Sequence, residues 1–369
     1  MPLLDEIPFY WKYIYKIIGI IQFPTEENAS NIVPHLWPLP QNCLFIYICV
    51  KYYVSINHLK FLGIFYFVDA LTSIGTALSL VISITIFIQR SRDLKKLLLQ
   101  LKEIKIDSVH RKTRSKANHY LRIILIITIF YYFLFIPFES EPLFYTLFFI
   151  YPGIILLFDH IFLSDILEII CNEFEQINRE IKYQTTSHRI IFKTKKINDE
   201  EINDKMVRAE QLSLCHCDLT ALTLNICHHF ETTIIVAMIT SFNYVTSTVY
   251  FLIYFLARSY EANLFVLFGN NFAFLSFYVF WLLLILEMFT RTEKEANITG
   301  RYIHDIWNKF EANGNMTKKL RHLQLVSIRF LNNKLEFRAR NFFRLDWSFC
   351  HTMIAAITTY VIILVQFHI

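Results

Sequence analysis

Two short blocks set thiols and imidazoles side by side: Cys215, His216 and Cys217, then Cys227, His228 and His229 ten residues on. Thiolate and neutral imidazole are the donors that tetrahedral zinc prefers, so metal ligation is the first chemistry to test. The stretch around them is helix-like, and on a helix Cys215 and Cys217 point about 200° apart, too far to share one ion. The blocks therefore read as helix faces, with no metal and no cofactor. Other catalytic constellations are missing as well. The chain has no GxSxG elbow, no HExxH pair and no glycine-rich phosphate loop, so no catalytic residue is assigned and the protein reads as a non-enzyme.

A second pattern lies near the carboxyl end. Ser348, Thr352, Ala355, Thr359, Ile362 and Gln366 follow one another at alternating steps of four and three, which puts them on one helical face. That face is small and polar over most of its length. The neighbouring face, through Phe349, Met353, Ala356, Tyr360, Leu364 and Phe367, is larger and mostly apolar. Small residues let helices approach closely in lipid, and the same stripe would line a wetted path shared between copies. Spacing alone favours packing. Gln366 favours the second, because an amide near the end of such a helix is costly against lipid and useful in a ring.

A third set consists of polar residues inside apolar stretches: Asp69, Thr72 and Ser73; Asn243, Tyr244 and Ser247; Asn270 and Asn271; and, deeper, Trp281 with Asp159 and His160. Intramembrane polar groups are expensive and mark functional positions by default. Together with aromatic rings they would line a cavity for a small organic ligand held by a few hydrogen bonds and ring stacking. Hydrogen bonding to each other across helices would explain them equally well.

The elements that must position these residues are membrane helices. With 54% hydrophobic residues, 18% charged residues, 36 Phe and 20 Tyr and a mean hydropathy of +0.38, the chain has too little polar surface to cover a soluble particle. Apolar segments able to cross a ~30 Å core are drawn at Leu39 to Ile56, Phe61 to Ile88, Leu121 to Phe138, Leu143 to Leu163, Thr232 to Ala257, Leu264 to Phe289 and Phe342 to Phe367. The fold class is an all-α membrane protein of seven transmembrane helices in contact with membrane lipid.

Cations fix the orientation. Arg90 to Lys116 holds ten Lys/Arg, Ile166 to Glu231 eight and Arg291 to Arg344 twelve, while the alternate loops Asn57 to Lys60, Glu139 to Pro142 and Arg258 to Asn263 are short and nearly free of them. By the positive-inside rule the basic segments and the amino terminus are cytosolic, and after an odd number of spans the carboxyl terminus is extracellular. Met1 to Tyr10 carries Asp5 and Glu6 instead of a basic start, so the first span serves as its own signal. The net charge of +5 then belongs to a cytosolic face beside anionic lipid, and no nucleic-acid partner is implied. The sequons at Asn28, Asn297 and Asn315 all fall on cytosolic segments.

The cytosolic segments are themselves helix-like. Ile166 to Tyr183 carries Ile169, Ile170, Phe174, Ile177 and Ile181 at helical spacing, Glu200 to Phe230 leads into the fifth span, and Arg291 to Phe337 forms a third block with a turn near Asn313 and Gly314. Thr185 to Asn198 is polar and basic and reads as a flexible loop. No internal repeat is present, which argues against an inverted-repeat transporter. Four units result: a cytosolic segment 1–38, spans one to six with helical extensions 39–290, a cytosolic anchor helix 291–341 and a last helix 342–369.

Thr359, Tyr360, the aliphatic run Val361 to Val365, Gln366 and Phe367, approached through Phe343, Leu345, Asp346, Trp347 and Ser348, resemble the TYhhhhhQF ending and lead-in of insect gustatory receptors. The family usually has a Cys-Gly pair where this chain has Arg340 and Asn341, so the bend ahead of the last helix must be built from other residues. The resemblance implies a ligand-gated, nonselective cation channel in the plasma membrane, a homo- or hetero-tetramer with other gustatory receptor subunits joined through a cytosolic anchor. It implies that Gln366 and Phe367 form the constriction, with Ile362 in the same pore motif, and that Thr359 and Tyr360 position the pore helix; Ser348, Thr352 and Ala355, which share the stripe, are the candidates for lining the path below. Permeant cations and a small-molecule tastant are the implied partners, a bitter plant compound fitting a pocket more aromatic than acidic. An odorant-receptor-like channel, a metabotropic seven-helix receptor and a small-molecule transporter are the alternatives.

Overall fold

The computed structural model describes residues 74–75, 78, 81–82, 85, 93–101, 103–104, 142–191, 199–258, 264–311 and 318–366. The first and third drawn spans lie outside the described residues, as do Asp69, Thr72, Ser73 and Phe367. Within the second span, 74–75, 78, 81–82 and 85 are helical.

Among the described residues three long helices dominate: α1 (Pro142–Ile191, 50 residues), α2 (Asp199–Arg258, 60 residues) and α3 (Leu264–Glu311, 48 residues). At 1.5 Å per residue they are roughly 70–90 Å long, against a hydrocarbon core of ~30 Å. More than half of each must therefore lie outside the apolar layer, as the charged halves of their sequences require. Contacts run in opposite senses along α1 and α2 (Phe162 on Phe230, Phe174 on His216) and in the same sense along α1 and α3 (His160 on Trp281, Asn178 on Glu295), so the charged halves gather at one end as an extension.

Among the described helices α1 is the most deeply placed, every residue being buried from Phe158 to Cys171 and most from there to Ile181. Phe162, Ile166, Leu167, Ile170, Phe174, Ile177 and Ile181 supply its apolar contacts, and α3 packs along α1, α2 and the shorter α4 (Lys318–Asn332). Leu94, Leu98 and Leu101, one face of helical 93–101, close the same core.

Three sequence expectations change. Thr185 to Ile191 is helix, continuing α1, because neither Gly nor Pro interrupts it. The segment 291–341 is not one anchor helix but the end of α3, then α4, then an antiparallel hairpin of β1 (Arg338–Ala339) and β2 (Phe343–Arg344). The last helix, α5 (Trp347–Gln366, 20 residues), starts five residues later than drawn.

The hairpin explains the late start. Phe342 N–H donates to the Ala339 carbonyl at 2.9 Å, and the two residues between them have φ of 45° and 62°. Both are left-handed, the signature of a tight hairpin turn. Asn341 is among the residues that adopt this region with little strain, whereas Arg340 does so at a cost of about 1–2 kcal/mol. These are the two positions at which the chain departs from the small pair. Asp346 then opens α5 as its N-cap, its Oδ1 accepting the Phe349 N–H at 3.1 Å.

Candidate functional site

Twenty residues give α5 a length of ~30 Å, one hydrocarbon thickness. It packs chiefly on α2 through a narrow seam in which Cys350, Met353 and Val361 are buried, and only 17% of the helix is buried inside the molecule. Ser348, Thr352, Ala355, Thr359, Ile362 and Gln366 are all exposed. The small polar stripe is thus not the surface by which α5 packs within its own chain. Thr352 and Thr359 donate their hydroxyls to the carbonyls of Ser348 and Ala355 at 3.1 and 2.9 Å, which satisfies them without a partner helix. Tyr360 keeps an exposed face and sets its ring edge-on to Phe242 of α2, centroids 5.7 Å apart. That contact ties the last helix to α2.

Of the polar residues proposed for a ligand cavity, Tyr244, Ser247 and Trp281 are buried and Asn243 is half-buried. Tyr244 stacks on Tyr278 of α3, centroids 4.7 Å apart at 23°. Tyr278 and Trp281 are one turn apart on α3, and Trp281 meets His160 of α1 edge-on at 4.9 Å. So α3 brings Tyr244 and Trp281 to adjoining levels through Tyr278, which sequence reasoning passed over. Its three-residue spacing from Trp281 was the available signal. Asn243 lies against the second span, where a Cβ added to Gly75 would sit 3.4 Å from its amide nitrogen. Asn270 and Asn271 fall in the first turns of α3.

In the extension the thiol and imidazole blocks disperse. Cys215 Sγ approaches the Ile104 carbonyl at 3.9 Å, whereas His216 turns into the core and its Nε2 lies 2.9 Å from the Ala296 carbonyl. That contact makes Nε2 the protonated nitrogen. The ring sits between Phe174 (5.0 Å) and Phe330 (4.6 Å), so one side chain of α2 touches α1, α3 and α4. Burial holds its pKa down at about 4, against the weaker opposing effect of the Ala296 bond. Burial likewise pushes the Cys215, Cys217 and Cys227 thiols up, which keeps them protonated.

Polar clamps join the helices around this point. Burial pushes the Glu175 carboxyl up, but hydrogen bonds and charge from Arg291 (2.9 Å) and Arg179 (2.7 Å) outweigh it and hold it below the usual range. Asn178 donates to the Glu295 carbonyl at 2.8 Å and accepts from Thr299 at 2.6 Å. Asn297 donates to the Leu335 carbonyl at 2.9 Å and accepts the Leu335 N–H at 2.8 Å.

A bundle of helices that spans the membrane and continues beyond it as a packed extension, ending in a lightly packed helix of one bilayer thickness, defines a multi-pass membrane protein. The chain belongs to the 7tm chemosensory receptor family, whose model matches residues 10–369. Its fold is similar to that of the insect olfactory receptor OR5 from Machilis hrabei, with a TM-score of 0.70 at 15% identity over 96% of this chain and 98% of that one. The same receptor in complex with eugenol gives 0.65 at 14% identity over 97% and 98%. No curated protein matches by sequence.

Proposed function

We propose that this chain is a subunit of a ligand-gated, nonselective cation channel of the gustatory type, four subunits surrounding one pore lined by α5 in the plasma membrane. The observation that carries the proposal is the exposure of the whole stripe from Ser348 to Gln366, while α5 uses a different seam to hold its own chain. Facing lipid, the Gln366 amide would be costly; facing an axis shared by four copies, it meets water along with the rest of the stripe. Gln366 and Phe367 form the constriction, with Thr359, Tyr360 and Ile362 completing the motif.

Each subunit carries its own pocket in the outer half of the bundle, and the stacked Tyr244 and Tyr278 with Trp281 beside them support a small aromatic ligand. The Machilis receptor's complex with eugenol is in keeping with this, and a bitter plant compound is the tastant class proposed. A ligand shifts the closed-to-open equilibrium only by its preference for the open form. Four sites preferring that form tenfold supply about 5.5 kcal/mol, enough to move a population from 1:99 to 99:1.

The test is current from excised patches lacking nucleotides and G proteins, challenged with a panel of sugars and plant metabolites. Onset within milliseconds is expected; currents that require GTP would support a metabotropic receptor instead, and substrate uptake without current a transporter.

The proposed orientation puts the extension in the cytosol and the carboxyl terminus outside. None of the three sequons is then glycosylated, and at Asn297 both ends of the amide are already bonded to Leu335. A tag after Ile369 should be detected on unpermeabilised cells. A glycosidase-sensitive mobility shift that disappears in Asn297→Gln would reverse the orientation.

A further inference from the structure

Phe289, Glu293 and Asn297 recur at steps of four on α3 and form one stripe, and each grips a different part of the segment between α4 and α5. Phe289 packs on Phe337, centroids 5.0 Å apart. Glu293 pairs with Arg344 of β2. Asn297 brackets Leu335 on the way into β1. One turn further, a Cβ on Gly300 would meet the Phe330 Cβ at 3.0 Å, so α4 lies directly on the α3 backbone there.

Arg344 gathers carboxylates from three elements: Glu293 of α3, Glu336 ahead of β1 at 3.8 Å and Asp346 at 3.4 Å. Asp346 caps the first turn of α5 through its other oxygen. A continuous line of polar contacts therefore runs from α3 through Glu293, Arg344 and Asp346 to the Phe349 N–H. Beside it, Phe343 of β2 stacks on Phe349, centroids 4.2 Å apart at 10°. On its other side α3 runs without a break for twelve residues, ~18 Å, from Glu293 up to Trp281 and the aromatic contacts of the proposed pocket.

We propose that this α3 stripe transmits movement of the bundle to the last helix, with Arg344 as the positioning residue that sets the first turn of α5. The assignment rests on the channel reading above. A guanidinium fork can serve several carboxylates at once where an ammonium is a point charge. The Arg344 side chain is 42% exposed and that of Glu293 13%, so removing one partner has a stability cost of its own, and the protection of the α1 core is the control that separates lost coupling from lost fold.

Hydrogen exchange on the full-length protein in detergent, with no ligand added, compares wild type with Arg344→Gln, Glu293→Gln and the double variant. Amides from Phe349 to Met353 should exchange about tenfold faster in either single variant, no faster in the double than in the faster single, and at an intermediate rate in Arg344→Lys. Amides of α1 from Ile166 to Ile181 should keep their protection. Ligand-free open fraction in patches should follow the same non-multiplicative pattern. Multiplying effects, or wild-type exchange and open fraction in every variant, would overturn the proposal. A wild type that passes no current sinks the channel reading, and exchange at the start of α5 still decides the coupling.

Discussion

Replacing Phe367 with Ala is expected to raise current in the absence of ligand by at least about tenfold, because each of the four rings kept out of water in a closed constriction contributes up to ~1.5–3 kcal/mol, and losing the equivalent of a single ring already shifts the open-to-closed ratio about tenfold. Gln366→Glu acts on permeation instead: a ring of carboxylates on the conduction path favours divalent over monovalent cations. The ligand concentration for half-activation should stay nearly unchanged. Along the rest of α5, single cysteines at Ser348, Thr352 and Thr359, which are exposed, should react with a water-soluble thiol reagent and change conductance. Cysteines at buried Met353 and half-buried Leu364 should respond weakly. Wild-type permeation and basal current in both constriction variants, with normal surface expression, would return the stripe to a lipid or helix-packing surface.

Acidification is expected to weaken the extension through His216. In the unfolded chain the imidazole takes up a proton near its ordinary 6.5, whereas burial keeps it neutral in the fold down to about 4. The unfolded state therefore binds more protons between these values. The contribution of the neutral, buried ring is complete above pH 6.5 and is lost as pH falls toward 4. Between pH 7 and 5 the loss is about 2 kcal/mol, roughly twentyfold in the folded-to-unfolded ratio. His216→Gln keeps a donor for the Ala296 carbonyl but cannot titrate, so its thermal midpoint in detergent should fall less over this range. Parallel curves for wild type and His216→Gln would show that the buried imidazole does not drive the acid loss.

The sequence by itself determined the apolar lengths, the charged halves of the long helices and the face on which Ser348 to Gln366 lie, because these depend only on residue type and a fixed period of 3.6. The ending from Thr359 to Phe367 was legible for the same reason, being local and contiguous. Only the tertiary structure decided which face of α5 packs inside the chain: periodicity defines faces but not neighbours, and the Cys350, Met353 and Val361 seam is selected by its fit to α2. The stack of Tyr244 on Tyr278 and the clamp of Asn297 on Leu335 each join residues 34 and 38 positions apart, a relation no local pattern carries. The hairpin at Arg340 and Asn341 was hidden for a different reason. An arginine gives no local signal for a left-handed turn, and its backbone is held there by the ladder of β1 on β2 and by the grip of α3 on both flanks.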